Sequence, residues 1–156
     1  MSELRSVEAS LRNLRFLLQG NGLEENALLL LRKRQEERTD VRQYIAQGHA
    51  EKIGQVYLLI TKTKIDAGLV PAFLPDARII VVATPCVDQS KWEIAVRVGL
   101  ARSEELSLDT LDINSFDPAY GGRWNAGSNR RGGGTIIEPW DYALALDQML
   151  LKGSES

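Results

Sequence analysis

The sequence predicts an α/β fold: a small mixed β-sheet flanked by helices, preceded by an N-terminal helical arm. Three observations carry this. Leucines recur at helical spacing early in the chain, the apolar period shortens to that of strands from Gln55 onward, and a helical pattern returns at the end. In the arm, Leu4, Val7, Leu11, Leu14 and Leu18 fall at alternating steps of three and four, which lines one seam of a helix. Ser2 is placed to cap that helix and Gly20-Asn21-Gly22 to end it. A second helical stretch begins near Leu23, with the apolar block Leu28 to Leu31. Nine polar residues follow, Arg32 to Asp40, and then Val41, Tyr44 and Ile45 return at helical spacing before Gly48. Nine polar residues in a row cannot face a core. They form either a solvated connector helix laced with ion pairs or a break at which Thr39 or Asp40 caps a further short helix.

Val56 to Ile60 and Ile79 to Ala83 are unbroken apolar runs rich in β-formers, read as buried strands. Ala67 to Leu74, interrupted by Pro71, suits a helical turn or a short helix. Trp92 to Val98 alternates: Trp92, Ile94, Val96 and Val98 share one face, and Glu93, Ala95 and Arg97 the other. One or two more strands are expected around 106–113 and 135–137. Pro139 opens a last helix whose packed side is Tyr142, Leu146 and Met149, with Lys152 to Ser156 as a frayed tail. The domains are therefore residues 1–48, a helical arm and connector, and 49–152, the α/β body.

Composition limits function. The 156 residues suffice for one core, and 44% hydrophobic with 26% charged residues is ordinary for a globular chain. Nineteen basic against 21 acidic residues leave a net charge of -2, so any anion site must be local. One cysteine, Cys86, excludes a disulfide framework, and one histidine, His49, excludes a histidine cluster. Cys86 suits packing beside Pro85, and His49 a helix end. No apolar run approaches the roughly 20 residues of a membrane helix, and the N-terminus lacks a signal peptide's layout. A cytoplasmic protein without a complete hydrolase site is expected. Asp109 and Asp112 receive no acid–base role, and Glu138 and Asp141 serve the start of the last helix.

One stretch differs from the rest. Between Tyr120 and Thr135 lie six of the chain's 13 glycines and three arginines, Arg123, Arg130 and Arg131, while no acidic residue occurs between Asp117 and Glu138. Glycines bring amide N–H groups close to a ligand, and the arginine fork matches phosphate oxygens two at a time. Asn125, Ser128 and Asn129 add neutral donors. The same composition also suits a ligand-free hairpin connection, and Trp124 suits either a stacking platform or a core plug. Neither a nucleoside-triphosphate loop nor a dinucleotide fingerprint is present. Arg97, between Ala95 and Gly99, has room to lie across an open sheet face; a salt bridge to Glu93 or an edge position are the alternatives.

Gly121-Gly122-Arg123-Trp124-Asn125-Ala126-Gly127 resembles the glycine-glycine-histidine-x-x-alanine signature in the C-terminal domain of DHH-family phosphoesterases. That family includes oligoribonucleases, single-strand exonucleases, cyclic-dinucleotide phosphodiesterases and pyrophosphatases. Trp92-Glu-Ile-Ala-Val-Arg97 is similar to the family's strand ending in an arginine, and the resemblance covers about Arg32 to Leu151. It implies a substrate-binding domain that is not catalytic alone. Arg97, Arg123, Asn125, Arg130 and Arg131 would hold phosphate, with Gly121, Gly122 and Gly127 giving backbone access. Two departures stand out. Arg123 replaces the family histidine, keeping a cation but losing a titratable proton. The Asp-His-His triplet of the catalytic half is absent. The resemblance therefore implies no cofactor in this chain, with divalent manganese or magnesium held by a catalytic DHH domain in cis or in trans. The expected partners are a phosphate-containing ligand (nucleotide, oligonucleotide or polyphosphate), that catalytic domain, and no membrane. Two rival functions are an oligomerisation module, in which the Leu4 to Leu18 seam pairs two copies as a homodimer, and a free-standing single-stranded nucleic-acid binder stacking on Trp124.

Overall fold

The structure is a computed structural model describing residues 7–11, 24–47, 50–88 and 90–154. The chain divides into two compact units, Met1–Thr39 and Asp40–Ser156. Residues 7–11 are helical; Ser2, Leu4, Leu14, Leu18, Gly20 to Gly22 and His49 lie outside the described residues. Helix α1, Glu24–Ala46, runs unbroken through the polar stretch. Thr39 caps no new helix: its hydroxyl donates to the Gln35 carbonyl at 2.8 Å, a bond made inside a helix. Arg32 to Asp40 are exposed apart from half-buried Glu37, so this is the solvated connector.

The second unit is built on a six-stranded sheet in the order β1-β2-β3-β4-β6-β5. The strands are β1 Ala50–Ile53, β2 Val56–Ile60, β3 Ile79–Pro85, β4 Trp92–Val98, β5 Gly121–Gly122 and β6 Ala126–Ser128. β2 and β3 pair in parallel and every other neighbouring pair is antiparallel. The β2–β3 crossover carries a 3₁₀ turn, Ala67–Leu69, capped by the Asp66 carboxylate, and a short helix α2, Val70–Phe73. Helix α3, Pro139–Ser154, closes the chain and takes in part of the expected tail.

Each face of the sheet has its own core. On the first face, Val56, Leu58, Ile79, Val81, Ile94 and Val96 lie beneath Tyr142, Ala143, Leu146 and Leu150 of α3 and beneath Leu106, Leu108 and Ile113. On the second face, Leu59, Ile80 and Val82 pack with Val41, Ala67, Val70 and Leu74. Burial on both sides explains the unbroken apolar runs of β2 and β3. β4 is apolar on the first face alone, so its alternation was visible in the sequence. On the second face it presents half-buried Glu93, Ala95 and Arg97.

Three strands were not anticipated. β1 has only one buried residue, Ile53; its signal was the two-residue turn Gly54-Gln55 before an apolar run. The Asp147 carboxylate of α3 holds that turn, accepting from the Gln55 N–H at 2.8 Å. β5 and β6 arise within the glycine segment. Conversely, residues 106–113 form no strand. Ser107 caps a 3₁₀ turn, Leu108–Thr110, and a second follows at Ile113–Ser115, so the alternating leucines reach the core from turns. Thr135 makes only an isolated bridge to Trp92. Asp109 and Asp112 accordingly share no helical face.

Candidate phosphate site

Arg97 stands in an interior strand, between Ile80 of β3 and Ala126 of β6. The edge-strand alternative is therefore excluded. Its Nη1 donates to the carbonyls of Val96 at 2.9 Å and Gly127 at 3.1 Å, laying the guanidinium over the β4–β6 seam. Among the described residues it makes no ion pair with Glu93 or any other carboxylate, and Nε and Nη2 have no partner. Partial burial draws its pKa down, opposed by the charge of Asp66 in the crossover and by Tyr120. Removing a guanidinium from water without a carboxylate partner is unfavourable, so this cation is poised to gain from an incoming anion.

Gly127 lies opposite Val96 in β4 and Gly122 in β5, and Tyr120 covers it. A Cβ placed on Gly127 would fall 2.1 Å from the Tyr120 phenol oxygen, and one on Gly122 would fall 2.3 Å from the Gly127 Cα. At Gly121 a Cβ would meet nothing within 4 Å. Gly122 is thus required by close backbone approach and Gly127 by the Tyr120 ring lying on it, while Gly121, on the edge strand, leaves open space. Between β5 and β6 the chain turns through Arg123, Trp124 and Asn125, all exposed. The backbone there is fixed: Arg123 N–H donates to Ala126 O at 2.7 Å, Val98 N–H to Asn125 O at 3.0 Å, and Leu108 N–H to Trp124 O at 2.7 Å. Among the described residues the side chains of Arg123 and Asn125 have no hydrogen-bond partner.

Arg130 and Arg131 sit elsewhere. They occupy a 3₁₀ turn, Arg130–Gly132, followed by Gly133 and Gly134 at φ 90° and 82°, a left-handed path that favours glycine. Thr135 then pairs with Trp92 at the start of β4, five residues, or about 17 Å, from Arg97 along the strand. The candidate donors therefore form two groups. Arg97, Arg123 and Asn125 gather around the Val98 end of β4, and Arg130 and Arg131 lie between Asn129, bonded to Ile94, and Thr135, bonded to Trp92, toward the other end. Asn129 between them is not a free donor. It is fully buried; its Oδ1 accepts from Ile94 N–H at 2.7 Å and its Nδ2 donates to Asp117 Oδ2 at 3.1 Å. Tyr142 donates to the same Asp117 oxygen at 2.7 Å. Sequence reasoning missed this network because a buried and an exposed asparagine look alike in a sequence.

The Tyr120 hydroxyl is buried without a hydrogen-bond partner. Burial pushes the phenol up to about 12, against the opposing pull of Arg97, with Asp109 adding to the rise. The folded state thus favours the neutral phenol. That preference is fully present below the unfolded value near 10 and is lost as pH rises through about 12. Chemical-denaturation midpoints should fall across that window, and Tyr120→Phe should flatten the fall in part, because Tyr142 is shifted upward too by burial and by Asp117. At neutral pH Tyr120→Phe should not lower the midpoint, since it removes an unpaired buried group.

Among the described residues no three His, Cys, Asp or Glu side chains lie close enough to hold a metal ion. Nor is any described helix long and apolar enough to cross a membrane.

Fold and site together define a small α/β domain with a mixed open sheet and a cationic, glycine-rich hairpin on one edge. This fold is shared with the pGpG-specific phosphodiesterase PggH from Vibrio cholerae, at a TM-score of 0.57 and 13% identity over 88% of this chain. An exopolyphosphatase-related protein from Bacteroides fragilis matches with a TM-score of 0.49 and 11% identity over 77% of the chain. The chain spans 45% of the first protein's length and 36% of the second's. No family model and no curated protein matches the sequence. At 13% identity the likeness to the first is one of fold.

Proposed function

We propose that this chain is the substrate-binding module of a DHH-type phosphoesterase, holding a phosphate-containing ligand and not catalytic alone. The observation that carries the proposal is Arg97, an interior-strand guanidinium tied only to backbone carbonyls, with unpaired nitrogens. Arg97, Arg123 and Asn125 bind one phosphate, with Gly121 keeping the sheet edge open to it and Gly122 and Gly127 letting β5 and β6 pack closely beneath it. Arg130 and Arg131, farther along β4, contact a second phosphate of a longer ligand. The resemblance of Gly121 to Gly127 to the family motif supports this reading, as does a fold shared with a phosphodiesterase. The parent reaction is hydrolysis of a phosphodiester or phosphoanhydride, with manganese or magnesium held by a catalytic DHH domain in cis or in trans. This module fixes the ligand in place for that domain.

Calorimetric titration with inorganic tripolyphosphate tests the assignment. Arg97→Ala and Arg123→Ala should each weaken binding about tenfold or more, and the parent's affinity should fall as salt is raised. If both variants bind like the parent, the site is misplaced. Val7 and Leu11, 55% and 57% exposed on the helical residues 7–11, support a second role in which the arm pairs two copies of the chain.

A further inference from the structure

The phosphate reading leaves open whether the ligand carries a base, and Trp124 bears on this. Its indole is 43% exposed and belongs to neither core, so it does not plug the fold. The guanidinium of Arg102 lies over the ring, 4.7 Å from its centroid, within the range of a cation–π contact. Arg102 has no carboxylate partner among the described residues. The hydrogen bonds of Arg123 N–H, Trp124 O and Asn125 O hold the turn on both sides of the indole, so the ring is presented on a fixed backbone. Arg123 and Asn125, the proposed phosphate donors, are its immediate neighbours. Trp140 makes a useful contrast: it is 49% exposed, yet no cation covers its ring among the described residues and no such donors flank it.

We infer that Trp124, backed by Arg102, is a stacking platform for a nucleobase, so the ligand is a nucleotide or short oligonucleotide and not an inorganic polyphosphate. The inference rests on the proposed function, since the platform matters only beside the phosphate donors. An exposed indole gains from a base's π-face whatever the base, and the guanidinium behind it adds to the attraction and draws the ligand's phosphate. The site would therefore prefer a base-bearing ligand with little regard to which base it is.

The test is titration of the full chain with 5′-phosphorylated diadenylate and, separately, with tripolyphosphate. The parent should bind the dinucleotide more tightly. Trp124→Ala should weaken dinucleotide binding about five- to a hundredfold and tripolyphosphate binding much less, while Trp124→Phe, which keeps a ring and a filled turn, should retain most of the affinity. Dinucleotide binding unchanged in Trp124→Ala, or a parent with no preference between the probes, overturns the inference. If tripolyphosphate binding still depends on Arg97 in that case, the proposed function survives. A parent that binds neither probe overturns both.

Discussion

Asn129→Leu should lower the unfolding free energy by about 3 kcal/mol, because it orphans two buried partners at once. The asparagine takes the place of a strand residue at the end of β6. Its own N–H donates to Ile94 O at 3.1 Å, and its side-chain oxygen accepts the returning Ile94 N–H at 2.7 Å. Its amide also donates to Asp117, itself 1% exposed and held by Tyr142. Leucine fills a similar volume but leaves the Ile94 N–H and one carboxylate bond unmet. Tyr142→Phe, which removes a single donor, should cost about 1–3 kcal/mol. The double variant should be non-additive, since both residues act on one carboxylate. Urea denaturation measures all three; a loss below about 1 kcal/mol for Asn129→Leu would mean that water replaces the missing bonds.

Gly122→Ala is expected to destabilise by about 1–3 kcal/mol, the usual range for overpacking. The added methyl would meet the Gly127 Cα at 2.3 Å and the Ala126 carbonyl oxygen at 2.5 Å. Both are backbone atoms, so β5 and β6 would have to part. Gly121→Ala, one residue earlier on the same strand, meets nothing within 4 Å and should leave stability unchanged or slightly raised. The two variants separate the fold's demand for glycine from the ligand's. If Gly121→Ala keeps full stability but weakens tripolyphosphate binding, the space above Gly121 is used by the ligand. Equal stability loss in both would contradict the observed packing.

β2, β3 and α3 were legible because burial writes itself into sequence as apolar runs and periods. β4 was legible because only one of its faces is apolar. The expectation of strands at 106–113 failed for a related reason: Leu106, Leu108, Leu111 and Ile113 are inward-facing, but Ser107 and Asp112 turn the backbone between them. Alternation reports which residues face inward without reporting how the chain gets there. β5 and β6 could not be found, because glycine carries no hydrophobic signal. They are strands only because β4 offers a free edge at Ala95 to Arg97.

The α/β class, the central strands, the closing helix and the concentration of arginine and glycine late in the chain are all written in composition and period, which are local properties. How those residues are used depends on the folded arrangement. Strand pairing places Arg97 against Gly127 and holds Arg130 and Arg131 at the far end of β4; burial turns Asn129 from a free donor into a structural tie, and exposure makes Trp124 a surface. Each of these depends on distances between residues far apart in the chain, which no local pattern encodes.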